Sequence, residues 1–194
     1  MDDRADRHAW RQAVKSVFAL LPAASRMRLD VRLNERLEEM IASPGRGTLL
    51  GYAALPDEAP IDGALGRRLE SGGLVAMPAW NGGAGMTLRR VRDLNRDLVP
   101  GRAGIREPRA DLDECAPEAV AIALVPGRAF SESGVRLGRG AGCYDALFRG
   151  QDILKVGVAY DFQVFPTLPH SERDIRMEMV ITPSRRIDFR DGEA

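Results

Sequence analysis

The sequence predicts an α/β fold, a single three-layer α/β/α domain around a mainly parallel sheet. Helix-period segments alternate with apolar runs of strand length along most of the chain. One run, Ala-Val-Ala-Ile-Ala-Leu-Val over 119–125, is continuously apolar, as suits a strand covered on both faces. A glycine-rich loop and a short amphipathic stretch that reads as a helix start follow it. Strand, loop, helix is the order that places a ligand at the carboxyl ends of strands in open α/β sheets.

The elements follow in order. Trp10, Val14, Val17, Phe18 and Leu21 recur at helical spacing until Pro22. Leu29, Leu33, Leu37, Met40 and Ile41 mark a second helix, stopped by Ser43-Pro-Gly45. Residues 48–55 read as a buried strand, 61–71 as a helix closed by Gly72-Gly73, and 74–78 as a strand. Asn81-Gly-Gly-Ala-Gly85 is a turn, with a further strand over 86–91. The stretch 92–118, with Pro100, Pro108 and Pro117, reads as irregular. Late strands are expected over 155–160 and 177–182. No repeat or linker interrupts the chain, so 194 residues form one domain, with a core over about 7–183 and a frayed tail over 185–194.

Composition narrows the function. Lys+Arg and Asp+Glu both number 28, and this balance argues against non-specific attraction to nucleic acid or membrane. Cys115 and Cys143 make neither a disulfide framework nor a zinc site, and His8 and His170 have no companion ligands nearby. The opening residues are charged throughout and no apolar run reaches membrane length, so a cytoplasmic protein is expected.

Chemistry concentrates in Gly134-Val-Arg-Leu-Gly-Arg-Gly-Ala-Gly-Cys-Tyr-Asp145. Gly134, Gly138, Gly140 and Gly142 let the backbone approach a ligand, and successive N–H groups beside a helix start make an anion cradle. Arg136 and Arg139 add forked donors suited to phosphate oxygens, and Asp145 stands where a carboxylate can hold a phosphate-bridging metal. Walker and dinucleotide spacings are both absent. Arg7, Arg11 and Lys15 form a basic stripe beside the apolar face of the first helix. On the residues alone, Glu58 and Asp174 are ordinary loop acids, and Tyr52 and Met86 are equally good core residues.

Pro126-Gly-Arg-Ala-Phe130 followed by Gly134-x-Arg-Leu-Gly-x-Gly-x-Gly-x-Tyr-Asp145 resembles the signature of the 5-formyltetrahydrofolate cyclo-ligases, also called methenyltetrahydrofolate synthetases. Met86-Thr-Leu-Arg-Arg90, Gly104-Ile-Arg-Glu-Pro108 and the late Asp174 fall in the family's order. The resemblance implies ATP- and Mg²⁺-dependent cyclisation of 5-formyltetrahydrofolate to 5,10-methenyltetrahydrofolate, yielding ADP and phosphate. It further implies that Arg7, Arg11, Leu137 and Tyr144 join the glycine loop at ATP. Tyr52, Glu58, Met86 and Tyr144 would meet the folate, and Asp145 and Asp174 would share Mg²⁺. Arg136, Arg139 and Asp145 would be catalytic. The expected partners are ATP and a reduced folate, with or without a polyglutamate tail, acting on a monomer.

The chain departs from the family pattern mildly at Ser131, which replaces Asp, and in four further places near these residues. Arg7 replaces Lys, Pro60 replaces an acid, Cys143 replaces Tyr and Arg173 replaces His. These departures favour a second reading, a diverged relative that binds nucleotide or folate as a sensor or metabolic partner without turnover.

Overall fold

The computed structural model describes residues 3–42, 47–83, 85–172 and 174–190. The chain opens with helices α1 (Asp3–Leu20) and α2 (Ala23–Ile41), then strand β1 (Thr48–Leu50) and helix α3 (Asp62–Glu70). Strands β2 (Val75–Gly82) and β3 (Gly85–Val91) form a hairpin, as do β4 (Leu98–Pro100) and β5 (Arg106–Pro108). Next come β6 (Val120–Pro126), β7 (Ala129–Ser131), β8 (Arg136–Leu137) and α4 (Cys143–Phe148). The last strands are β9 (Leu154–Val158), β10 (Val164–Phe165), β11 (Met179–Ile181) and β12 (Arg186–Asp188).

The main sheet runs β12-β11-β9-β6-β1-β2-β3. Its five central strands pair in parallel, and the edge strands β12 and β3 are antiparallel to their neighbours. A smaller sheet, β10-β7-β8, stands beside it.

Alternation along the central strands explains the layers. Leu49, Met77, Ile122, Leu124, Val156 and Met179 face a core shared with Val14, Phe18, Leu33, Leu37 and Leu65 from α1–α3. Leu50, Ala76, Ala123, Val125 and Val180 face the opposite side, where Phe148 of α4, Cys115, Ile153 and Phe130 cover them. The three expected layers are present, but among the described residues the second outer layer has the six-residue α4 as its one α-helix, completed by Phe130 of β7 and loops. Removing a central side chain such as Leu124, which is fully buried, costs about 2–5 kcal/mol by the cavity it leaves.

Local differences from the sequence reading have physical causes. Val17 points outward because the buried stripe of α1 is Trp10, Val14 and Phe18, whose rings meet Phe165, Tyr160 and Phe162. β1 ends at Leu50 rather than at 55, since Gly51 makes the last sheet bond, to Ala76, and the chain then rises over the strand ends. The stretch 92–118 is not wholly irregular: β4 and β5 each end on a proline, which suits short edge strands. The expected frayed tail is corrected at β12, which pairs with β11; residues 191–194 lie outside the described residues. The stop at Ser43-Pro-Gly45 and the departure at Arg173 also lie outside them.

Candidate functional site

A cleft of about 340 Å³ opens above the carboxyl ends of β1, β2 and β6. One wall is polar and one apolar. Arg7 and Arg11 of α1, Arg136, Gly138–Asp145 and Asp174 make the polar wall. Tyr52, Pro78, Trp80, Met86 and Ile105 make the apolar wall, and Glu58 and Arg106 add charge beside it.

The glycine segment divides at β8. Gly134 lies in the tight β7–β8 turn with φ of 80°, and a Cβ there would strike the Met177 carbonyl at 2.6 Å. That glycine shapes a turn and does not line the cleft. Leu137, expected at ATP, is buried in the main core, because alternation on β8 turns it away from Arg136. Only Gly138–Asp145 and Arg136 reach the cleft. A strand hairpin therefore separates β6 from the loop that the sequence reading joined to it directly.

Arg136 is the unusual group here. Its side chain is 7 % exposed, its Nε has no hydrogen-bond partner among the described residues, and its contacts to the Pro126 carbonyl and Asp145 are both long at 3.4 Å. Leaving a buried donor unmatched costs about 1–3 kcal/mol, so the site holds an unmet demand for an acceptor. Gly138 allows this placement, since a Cβ there would sit 2.5 Å from an Arg136 terminal nitrogen. Gly142, with φ of 71°, turns the chain into α4.

Across the cleft floor, Arg11 donates from Nε to the Gly138 carbonyl at 2.8 Å and so ties α1 to the loop. Burial and the neighbouring Arg7 both lower the Arg11 pKa from its ordinary value. Arg7 is ion-paired with Asp174. Burial opposes ionisation of Asp174, but the Ser171 N–H and Arg7 outweigh it and hold the carboxyl below its usual range. Lys15 of the predicted basic stripe is exposed and lies outside the cleft.

Asp145 is not a helix cap. Gly142 holds the cap position of α4 without a side-chain bond, and Asp145 Oδ1 accepts the Ile175 N–H at 3.1 Å. That bond brings Asp145 to the residue next to Asp174. Among the described residues no group of three or more His, Cys, Asp or Glu side chains could hold a metal by itself. Mg²⁺ commonly takes one or two carboxylates and completes its shell with water and phosphate oxygens, so Asp145 and Asp174, which both line the cleft, are chemically suited to it.

Glu58 proves to be buried. Its Oε1 accepts Arg139 Nε at 2.9 Å and its Oε2 accepts the Leu55 N–H at 3.0 Å. Tyr52 braces the same turn by donating to the Ala59 carbonyl at 2.6 Å, and presents its ring to the cleft. Burial, reinforced by Glu58, drives the phenol pKa of both Tyr52 and Tyr144 well above its ordinary value. Both therefore stay protonated near neutrality. Tyr144 packs on Phe148 and lies beneath the Arg136 guanidinium, 5.4 Å from ring centre to carbon.

The structure thus brings Arg7, Arg11, Tyr52, Glu58, Met86, Arg136, Gly138, Arg139, Gly140, Gly142, Tyr144, Asp145 and Asp174 to one cleft, and leaves Gly134 and Leu137 out. Sequence reasoning missed Trp80, Ile105 and Arg106 on the rim, and Asp57 with Arg128 behind it. Two prolines flanking glycines over 100–108 were the available hairpin signal for Ile105 and Arg106.

The model of the 5-formyltetrahydrofolate cyclo-ligase family matches residues 3–183. The chain belongs to this family. A 5-formyltetrahydrofolate cyclo-ligase of Mycolicibacterium smegmatis is 34% identical over 147 residues, 72% of this chain and 75% of that protein. An Escherichia coli K12 cyclo-ligase is 38% identical over 93 residues, 46% of this chain, and the match spans about half of its length (51%). The solved structure of Aquifex aeolicus 5,10-methenyltetrahydrofolate synthetase superposes with a TM-score of 0.86 at 30% identity, covering 97% of this chain and 95% of that one. Family and fold agree with the resemblance carried by the glycine segment. No helix among the described residues is long and apolar enough to cross a membrane.

Proposed function

We propose that the protein is an enzyme that closes 5-formyltetrahydrofolate to 5,10-methenyltetrahydrofolate, consuming ATP with Mg²⁺ and releasing ADP and phosphate. The observation that carries this reading is Arg136, buried, underpartnered and set beside a glycine loop in a cleft with an apolar opposite wall. A buried cation with an unused donor suits a phosphate, and the apolar wall suits a flat heterocycle.

A formamide carbonyl is a poor electrophile, and its oxygen is a poor leaving group. The formyl oxygen therefore attacks the γ-phosphorus of ATP; the new O–P bond forms as the bond to ADP breaks, and ADP keeps the electron pair. The neighbouring anilinic nitrogen then attacks the activated carbon and gives up its proton, and the C–O bond breaks with phosphate as leaving group. Arg136, Arg139, Arg11, Arg7 and the 138–142 amides hold the phosphates and spread the charge of the transition state. Asp145 and Asp174 would hold Mg²⁺, which would supply neutralising charge at the phosphates. Glu58 accepts the amino and ring N–H groups of the pterin. Tyr52, Met86, Trp80 and Tyr144 fix the ring plane and keep water from the phosphorylated substrate.

The same reading carries a monomeric, cytoplasmic enzyme of one domain whose partners are small molecules. Absorbance-monitored conversion of 5-formyltetrahydrofolate with Mg-ATP, beside an ATP-free control, tests it. Product should accumulate only with ATP, at one ADP per ring closed. A folded protein that forms no product, or that forms it equally without ATP, rules the reading out.

A further inference from the structure

We propose that Asp57 is a positioning residue that parks Arg139 over Glu58, so that nucleotide and folate each favour binding of the other. The inference rests on the phosphate and pterin roles given above to Arg139 and Glu58.

Arg139 crosses the cleft from the glycine loop to the turn after β1. Its terminal nitrogen pairs with Asp57 while its Nε bonds Glu58. Asp57 is shared, because Arg128 pairs with its other oxygen. Two arginines and two acids thus form a neutral quartet in which Arg139 is the most exposed member. Its side chain is 40% exposed, against 8% for Glu58. In this arrangement the fork meant for phosphate is filled by carboxylates, and the carboxylate meant for the pterin is covered by an arginine.

Releasing Arg139 has unequal consequences for the two acids. Asp57 keeps Arg128. Glu58 keeps only the Leu55 N–H and becomes a buried carboxylate without a charge partner, which is costly. A triphosphate can draw Arg139 away only by meeting that cost. N–H donors of a bound pterin would remove it by replacing the arginine at Glu58. Conversely, a folate that arrives first must displace Arg139, and phosphate oxygens then supply its new partner. Each ligand alone pays to leave the parked arrangement, and the second to bind does not pay again. Asp57 sets how strongly Arg139 is parked. Removing its charge should make each single ligand bind more tightly, which loss of a merely structural contact would not do.

The test is calorimetric titration of the full chain with Mg²⁺ and a non-hydrolysable ATP analogue, with and without saturating 5-formyltetrahydrofolate, for wild type and Asp57→Asn. Wild type should bind the analogue at least about fivefold more tightly with folate present. In Asp57→Asn the analogue alone should bind several-fold more tightly than to wild type, and the effect of folate should fall below the wild-type factor without vanishing, because releasing Arg139 still leaves Glu58 without its charge partner. Wild type that binds both ligands independently overturns the coupling while leaving the proposed activity standing. An Asp57→Asn protein that still melts cooperatively, with unchanged or weaker analogue binding and undiminished coupling, overturns the role of Asp57. Should that variant fail to fold, the wild-type titration decides alone. Wild type that binds neither ligand overturns this inference together with the proposed function.

Discussion

The polar wall of the cleft comes mainly from one stretch, 136–145, backed by α1, whereas the apolar wall gathers Tyr52, Pro78, Trp80, Met86 and Ile105 from three separated segments. On the polar side, function conflicts with local stability: Arg136 is buried without adequate partners, and Gly138 gives up a side chain to make room for it. On the apolar side there is no such conflict. Tyr52 satisfies its hydroxyl at Ala59 and Trp80 donates to the Gly83 carbonyl at 3.0 Å while stacking on Arg102. On the proposed function, chemistry belongs to the first wall and substrate placement to the second.

The largest effect belongs to Asp145→Asn. Asparagine keeps an oxygen for the Ile175 N–H but loses the charge that would hold Mg²⁺, so kcat should fall about a thousandfold, equivalent to several kcal/mol. The melting temperature should hardly move. Retained turnover with a large drop in melting temperature would make Asp145 a structural tie between α4 and the 174–175 segment. Arg139→Ala should lower kcat/KM for ATP by about 100-fold, with unchanged circular dichroism because the side chain is half exposed. Wild-type kinetics in that variant would empty the polar wall of its assigned role.

Trp80→Ala tests the other wall. Loss of an aromatic face should raise KM for folate about tenfold while kcat holds, the signature of binding shared by ground and transition states. A matching fall in kcat would mean that the apolar wall also positions the reacting atoms, and the division between walls would fail.

How far each wall was legible in the sequence follows from the same contrast. Arg136, Arg139 and Asp145 sit within ten residues among glycines, so their chemistry is local and visible. Trp80 and Ile105 are ordinary apolar side chains, and only the folded β2–β3 and β4–β5 hairpins bring them together. Asp57 and Arg128 are 71 residues apart, and no local pattern marks two such charges as partners. Leu137 shows the opposite failure, since it lies inside the motif yet a two-residue strand turns it into the core. The main sheet was legible because both of its faces are covered, which leaves uninterrupted apolar runs. The β4–β5 hairpin was not, because its three-residue strands contain too few side chains to show a period.

Acid stability should report the charge pairs around the cleft. Asp57 and Asp174 are held below the usual carboxylate range, by Arg128 and Arg139 in one case and by the Ser171 N–H and Arg7 in the other, each against opposing burial. A depressed folded-state pKa contributes stability above the unfolded value and loses it as pH falls through the folded value. The melting-temperature gap between wild type and Asp57→Asn should therefore be widest near neutrality and close below the ordinary carboxylate range. A gap that is independent of pH would show that the Asp57 charge contributes nothing to stability.

The smallest expected effect is at Cys143, where the family pattern has a tyrosine. Cys143 opens α4, lines the cleft and is partly exposed, with Tyr144 already stacked between Arg136 and Phe148. A second ring there has to enter space framed by Gly142 and the Arg136–Tyr144 stack, and overfilling a fitted site is unfavourable. Arg7 presents a related case, since its fork is already paired with Asp174 and a lysine would keep the charge but lose the planar pairing. Both positions therefore look repacked around the residues they now hold. Cys143→Tyr and Arg7→Lys should each leave kcat/KM unchanged or reduce it a few-fold, read in the same absorbance assay. The opposite result has a definite form: wild type that binds the ATP analogue without turning over, with cyclisation appearing only in the Cys143→Tyr, Arg7→Lys double variant. That would make the chain a binding relative that lost its chemistry at these two positions, although its polar wall is otherwise intact.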